Sequence, residues 1–246
     1  MIQIAKSVLI ASTALVMSSC DVLQEMASQV PSSTGTTPAL SNGEVISGLK
    51  EALTVGIKNS VNMASVTDGF LKNSNIRLPF PDDAIKVKQK AIEWGLSGQV
   101  EKFETTLNRA AEEATKTALP IFVDAITNMS IQDGFSILNG GDGAATRFLR
   151  DNTTAKLTAA FSPKVAESIS KVKLTEYWNP IATKYNSAMA ITGGQKVNTD
   201  LNAYVTERAI LGLFKLVEQE ENKIRKDPAA RVSEILRKVF GSIGIK

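Results

Sequence analysis

Apolar residues recur every three or four positions through most of this chain, and no stretch alternates apolar and polar for long enough to make a half-buried strand. That spacing predicts an all-α fold. The first stripe runs Val45, Ile46, Leu49, Ala52, Leu53, Ile57, Val61 and Ala64, behind Ser41-x-x-Glu44, a pair whose side chains cap a helix start reciprocally. Gly48 and Gly56 sit near it, where close packing of another helix offsets their poor helix propensity. Thr67-Asp68-Gly69-Phe70 breaks the pattern, and the NSNIRLPFPDD stretch reads as extended because Pro79 and Pro81 push their predecessors out of the helical region.

A shorter helix is expected from Pro81 or Asp82 to Trp94, with Ile85, Ala91 and Ile92 inward and Gly95 ending it. From about Gly98 a long stripe follows through Phe103, Leu107, Ala111, Ala118, Phe122 and Met129, with a bend or restart forced by Pro120. Ser130-x-x-Asp133 caps a short helix ending at Asn139, and Gly140-Gly141-Asp142-Gly143 turns into a helix bearing Arg147 and Arg150. Thr153 and Ser162-Pro163 read as two further helix starts, and Asn179-Pro180 as a break within Tyr177–Ala190. After a loop at Gly193-Gly194, the segment from Asn198 to Asp227 carries the longest unbroken stripe, through Leu201, Val205, Ala209, Leu213, Leu216, Val217 and Ile224. Asp227-Pro228 opens a last helix through Phe240, closed by Gly241. Residues 41–246 are therefore expected to form a single multi-helix bundle.

The chain before that body has a different character. Residues 1–19 read as a secretory signal, with Lys6 ahead of an apolar run too short to span a bilayer. Met17-Ser18-Ser19-Cys20 resembles the lipobox of bacterial lipoproteins, whose cysteine becomes the acylated first residue of the mature chain. Residues 20–40, rich in Ser, Thr, Gly and Pro, read as a flexible linker. The expected protein is exported, lipid-anchored at Cys20 to a bacterial membrane and facing the periplasm, with the inner or outer membrane left open.

Charge and inventory narrow the chemistry. With 28 Lys+Arg against 25 Asp+Glu the net charge is only +3, without the concentrated basic face a nucleic-acid partner needs. Histidine is absent and Cys20 is the single cysteine, which excludes a Ser-His-Asp triad, a Cys-His pair and a Cys-based zinc site. No cofactor is implied.

The motifs GLKEAL (Gly48–Leu53), DGFL (Asp68–Leu71), IRLPFP (Ile76–Pro81), NRAAEEA (Asn108–Ala114) and PIFVDAI (Pro120–Ile126) carry a resemblance across the whole body. GGDGAAT (Gly140–Thr146), YVTERAILGLF (Tyr204–Phe214), EQEE (Glu218–Glu221) with IR (Ile224–Arg225), and KVFG (Lys238–Gly241) continue it. Together they resemble a family of bacterial, usually lipid-anchored proteins known only as a domain of unknown function. The resemblance implies an all-helical exported domain and carries no catalytic residues. Gly134 departs from the family pattern.

Two candidate sites emerge. Glu112 and Glu113 lie in an alanine-rich helix, and Asp124 follows Glu113 by 11 residues, which shares its face only if the helix stays straight. Such carboxylates suit a divalent cation or acid–base work, or are simply solvated and paired with Arg109 and Lys116. The turn residues Gly141 and Gly143, with Arg147 and Arg150, suit an anion at a helix start, or a structural turn whose arginines pair with acidic helices. Without Lys-Ser/Thr after the glycines it is not a nucleotide-binding loop. Tyr177, Trp178 and Tyr185 read as core or as a stacking platform, and Glu167-Ser168 carries no weight as a dipeptide. The Glu218–Glu221 run reads as an exposed face laced by ion pairs.

The expected function is a non-enzymatic, membrane-tethered envelope protein that binds a small ligand or an envelope protein partner. The alternative is a carboxylate-dependent hydrolase of glycan or peptide using Glu112, Glu113 or Asp124. Neither a ligand nor an oligomeric state is specified by the sequence.

Overall fold

The computed structural model describes residues 41–81, 84–171, 174–194, 196–197 and 200–227, with the isolated positions 231, 237 and 239. The signal, Cys20 and the linker, Asn198, and the expected last helix from Pro228 to Gly241 lie outside the described residues apart from those isolated positions. All described residues belong to one compact unit, Leu40–Lys246.

Among them are eight α-helices and no strand: α1 (Asn42–Ser65), α2 (Ile85–Glu93), α3 (Ser97–Thr115), α4 (Ala118–Thr127), α5 (Ile131–Asn139), α6 (Ala144–Lys171), α7 (Leu174–Thr192) and α8 (Leu201–Lys226). The all-α bundle expected from periodicity is the observed fold. No described helix is long and apolar enough to cross a membrane.

The predicted stripes form its core. α8 packs on α1, α3 and α6, and all seven apolar positions of its stripe are buried. The Ser41–Glu44 box forms, as does a second between Ser130 and Asp133. Gly56 faces α8, where a Cβ would meet Glu220 and Ile224 at 3.7 Å. The extended segment after α1 is pinned by Asn108, which accepts from the Leu78 N–H (2.8 Å) and donates to the Leu78 carbonyl (3.1 Å). Phe80, from that segment, then closes an aromatic cluster with Phe103 and Trp178, ring centroids 4.8 and 5.7 Å away. Trp178 and Tyr185 are thereby core residues, while the Tyr177 side chain lies outside the described part.

Three proline expectations meet the tertiary structure differently. Near Pro120 the helix restarts, but the break falls earlier, at Lys116–Thr117. Pro120 becomes the third residue of α4, where no intrahelical acceptor awaits an N–H. Ser162-Pro163 does not start a helix: α6 runs through it, and Thr153 is interior too, its hydroxyl donating to the Leu149 carbonyl (2.6 Å). Phe161 before Pro163 and Val165 and Ile169 after it are all buried, so packing on both sides outweighs one lost hydrogen bond. Asn179-Pro180 does not break α7 either, because Trp178 and Ile181 anchor it on each side in the core.

In α2 the inward positions are Val87 and Ala91. Ile85 and Ile92, expected inward, are 39% and 48% exposed, because the helix begins only at Ile85 and turns its Val87–Ala91 row to the core.

Candidate functional site

Helices α6 and α8 run antiparallel. Ala145 meets Glu221 at one end, Arg150 meets Phe214 further on, and Ser162 meets Asn202 at the other. Along this one pair the chemistry changes completely.

At the start of α6 the charged side chains and the Ala145 and Thr146 N–H groups all have partners. Gly141 and Gly143 take the left-handed backbone conformation (φ 71° each) that the tight turn requires. The N–H groups presented by the helix start are then occupied by the chain's own anion. The Glu221 carboxylate accepts from the Ala145 N–H (3.0 Å), the Thr146 N–H (2.9 Å) and the Thr146 hydroxyl (2.8 Å). Glu221 is 7% exposed, so the expectation of a wholly solvated Glu218–Glu221 run fails at that residue: its side chain lies on the face of α8 turned to α6. Arg225 neutralises it at 2.9 Å and donates onward to the Ile137 carbonyl (2.8 Å) at the end of α5. Arg231 in turn donates to the Arg225 carbonyl (2.8 Å).

Arg147 folds back on its turn, donating to the Asp142 carbonyl (3.1 Å) and the Gly140 carbonyl (3.2 Å). Asp142 pairs with Lys226 at 2.5 Å. Arg150 points elsewhere, with its guanidinium 5.3 Å from the centre of the Phe214 ring. The two arginines therefore do not converge with Gly141 and Gly143 on one point.

Beyond Phe214 the two helices line an opening. Between them lies a groove of about 610 Å³, within the range of about 300–1,000 Å³ typical of small-molecule sites. Its α6 wall is a row at four-residue spacing: Arg150, Thr154, Thr158 and Ser162. Its floor is the buried row Thr206, Ile210 and Phe214, and its α8 lip the exposed row Ala203, Glu207 and Leu211. Leu211 is 46% exposed and adds apolar surface to that lip. The Thr154 and Thr158 hydroxyls donate to carbonyls of their own helix (2.6 and 2.9 Å), so toward the groove they present methyl groups and acceptor lone pairs. At the far end Asn202 accepts from Ser162 (3.4 Å) and Thr206 (3.1 Å), and Asp200 caps α8. Among the described residues Arg150 makes no ion pair.

The acidic candidates are held separately. Glu112, buried, accepts from the Phe70 N–H (3.1 Å) and the Leu71 N–H (3.3 Å) and pairs with Arg109 at 2.7 Å. It fixes the Asp68-Gly69 turn, where Asp68 takes a positive φ of 69° and bridges Arg109 (2.5 Å) and Lys72 (2.7 Å). Hydrogen bonds from Lys72 and Arg109 hold the Asp68 carboxyl below the usual carboxylate range. Only glycine fits at Gly69, since a Cβ there would stand 2.5 Å from the Met63 carbonyl oxygen. Glu113 is exposed and pairs with Lys116. Asp124 is exposed and pairs with Lys156 at 2.8 Å, whose hydrogen bond lowers its pKa. The helix does not stay straight between them, and each of the three has its own cation. Among the described residues no three His, Cys, Asp or Glu side chains converge to hold a metal ion.

The Arg150 end of the groove was visible as a candidate in the sequence; Thr154, Thr158, Ser162, Thr206 and Leu211 were not. A row of three hydroxyls at four-residue spacing behind an arginine, facing a helix with an outward leucine, was the available signal.

No curated protein and no solved structure matches the chain. Residues 39–241 match the family described as a protein of unknown function, DUF4197, which covers the whole described body. The chain belongs to the DUF4197 family.

Proposed function

We propose that this protein is a membrane-tethered envelope lipoprotein whose helical body binds a small ligand in the groove between α6 and α8. The groove is the observation that carries the reading. It combines the volume of a ligand site, an apolar floor, an outward Leu211 and a cation without a carboxylate partner among the described residues. The tether rests on Cys20, which stands where a lipobox needs its cysteine, and on the Ser-, Thr-, Gly- and Pro-rich stretch after it.

None of the three acids that a carboxylate hydrolase was expected to use lines this groove: Glu112 serves a turn, and Glu113 and Asp124 sit on exposed surfaces with lysines.

Two experiments test the two halves. Radiolabelled palmitate should enter the wild-type protein and not Cys20→Ser; equal labelling removes the tether. The neutral fluorophore N-phenyl-1-naphthylamine should bind saturably to wild type, and Thr158→Trp, which fills the groove, should abolish the signal. Binding unaffected by that substitution removes the groove.

A further inference from the structure

Granting that the groove binds a ligand, we infer that this ligand is an amphipathic anion: a carboxylate or phosphate head at Arg150, with its apolar part lying along the groove toward Ser162. Arg150 is held over Phe214, so its planar fork is oriented before any ligand arrives, and a guanidinium takes a carboxylate or phosphate in two parallel hydrogen bonds. From Arg150 to Ser162 the α6 wall rises through twelve residues, about 18 Å of helix. Over that length the floor and lip offer Ile210, Leu211 and Phe214, and the wall offers threonine methyl groups.

Acids are present as well, but they are placed differently. The Asp200 carboxylate accepts from the Asn202 N–H (3.0 Å) and the Ala203 N–H (3.3 Å) at the far end. Glu207 stands exposed on the lip. With its cation at the Arg150 end, the groove draws an anionic head to that end and so sets the ligand's orientation.

The test is displacement of N-phenyl-1-naphthylamine by four probes of equal chain length below their micelle-forming concentrations: decanoate, decyl phosphate, decanol and decyltrimethylammonium. Decanoate or decyl phosphate should compete about tenfold or more better than decanol. Which of the two is stronger identifies the head group. Arg150→Gln should remove that advantage while leaving decanol within twofold. If decanol equals the anions in wild type, if the cationic probe is strongest, or if Arg150→Gln keeps the preference, the charge assignment falls and the groove stands. If no probe competes and the fluorophore ignores Thr158→Trp, the groove itself falls and the assignment with it.

Discussion

The two ends of the α6–α8 pair are built from the same residue types and put them to opposite use. At Ala145–Thr146 a buried carboxylate is shared between a helix start and Arg225, whose own carbonyl accepts from Arg231. Several residues along, Arg150 faces an open groove with its guanidinium over the Phe214 ring and no ion pair among the described residues. A charge is informative about binding only after its neighbours are counted. The glycine-rich turn looks like an anion site in sequence because it leads into a helix start, and the Ala145 and Thr146 N–H groups of that start hold Glu221.

Breaking the closed end should have the largest effect. Glu221→Ala leaves Arg225 buried without its carboxylate and the Ala145 and Thr146 N–H groups without an acceptor. Removing one partner of a buried ion pair costs about 3–5 kcal/mol, so urea denaturation should show a loss of that order. Glu112→Ala should come next. It orphans the Phe70 and Leu71 N–H groups and releases Arg109, for about 1–3 kcal/mol in the same assay.

At the open end the expectation reverses. Arg150→Ala should change stability by less than about 0.5 kcal/mol, as for surface substitutions that break no network. A loss as large as that at Glu221 would mean that Arg150 is scaffold and that the contrast between the ends is false.

The smallest effect concerns an exposed pair. Glu167 lies between Lys171 and Lys164, whose hydrogen bonds bring its pKa to about 2 from the ordinary 4.5. Because the folded pKa is depressed, its contribution is present above 4.5 and lost as pH falls toward about 2. An NMR titration should place its midpoint near the lower value, and Lys171→Ala should raise it.

The buried seams were legible because a helix facing a core must repeat its apolar residues at helical spacing, and α1, α3 and α8 do so without interruption. The helix starts at Ser41 and Ser130 were legible for an equally local reason: their caps lie within one turn. Pro163 and Pro180 misled because the propensity of a short stretch omits what Phe161, Val165, Trp178 and Ile181 gain by packing elsewhere in the fold. Glu221 was illegible within the Glu218–Glu221 run, since only the position of α6 makes one of its three acids buried. Gly134, a glycine inside a helix, becomes intelligible only once α5 lies on α1, where a Cβ would stand 2.3 Å from Ile46. The groove belongs to the same class. Its two walls are distant in sequence, and reading Thr153 and Ser162-Pro163 as helix starts divided the Arg150–Ser162 row that α6 carries on one helix.

The most direct measurement is amide chemical-shift mapping of isotope-labelled protein titrated with decanoate. Saturable shifts should follow Arg150, Thr154 and Thr158 on α6 and Thr206, Ile210 and Leu211 on α8, and leave Ala145, Thr146 and the Phe70–Leu71 turn unmoved. Shifts centred on Ala145–Arg147 or on Glu112, or no saturable shift in the groove, would contradict the division of this molecule into a locked end and a receptive one.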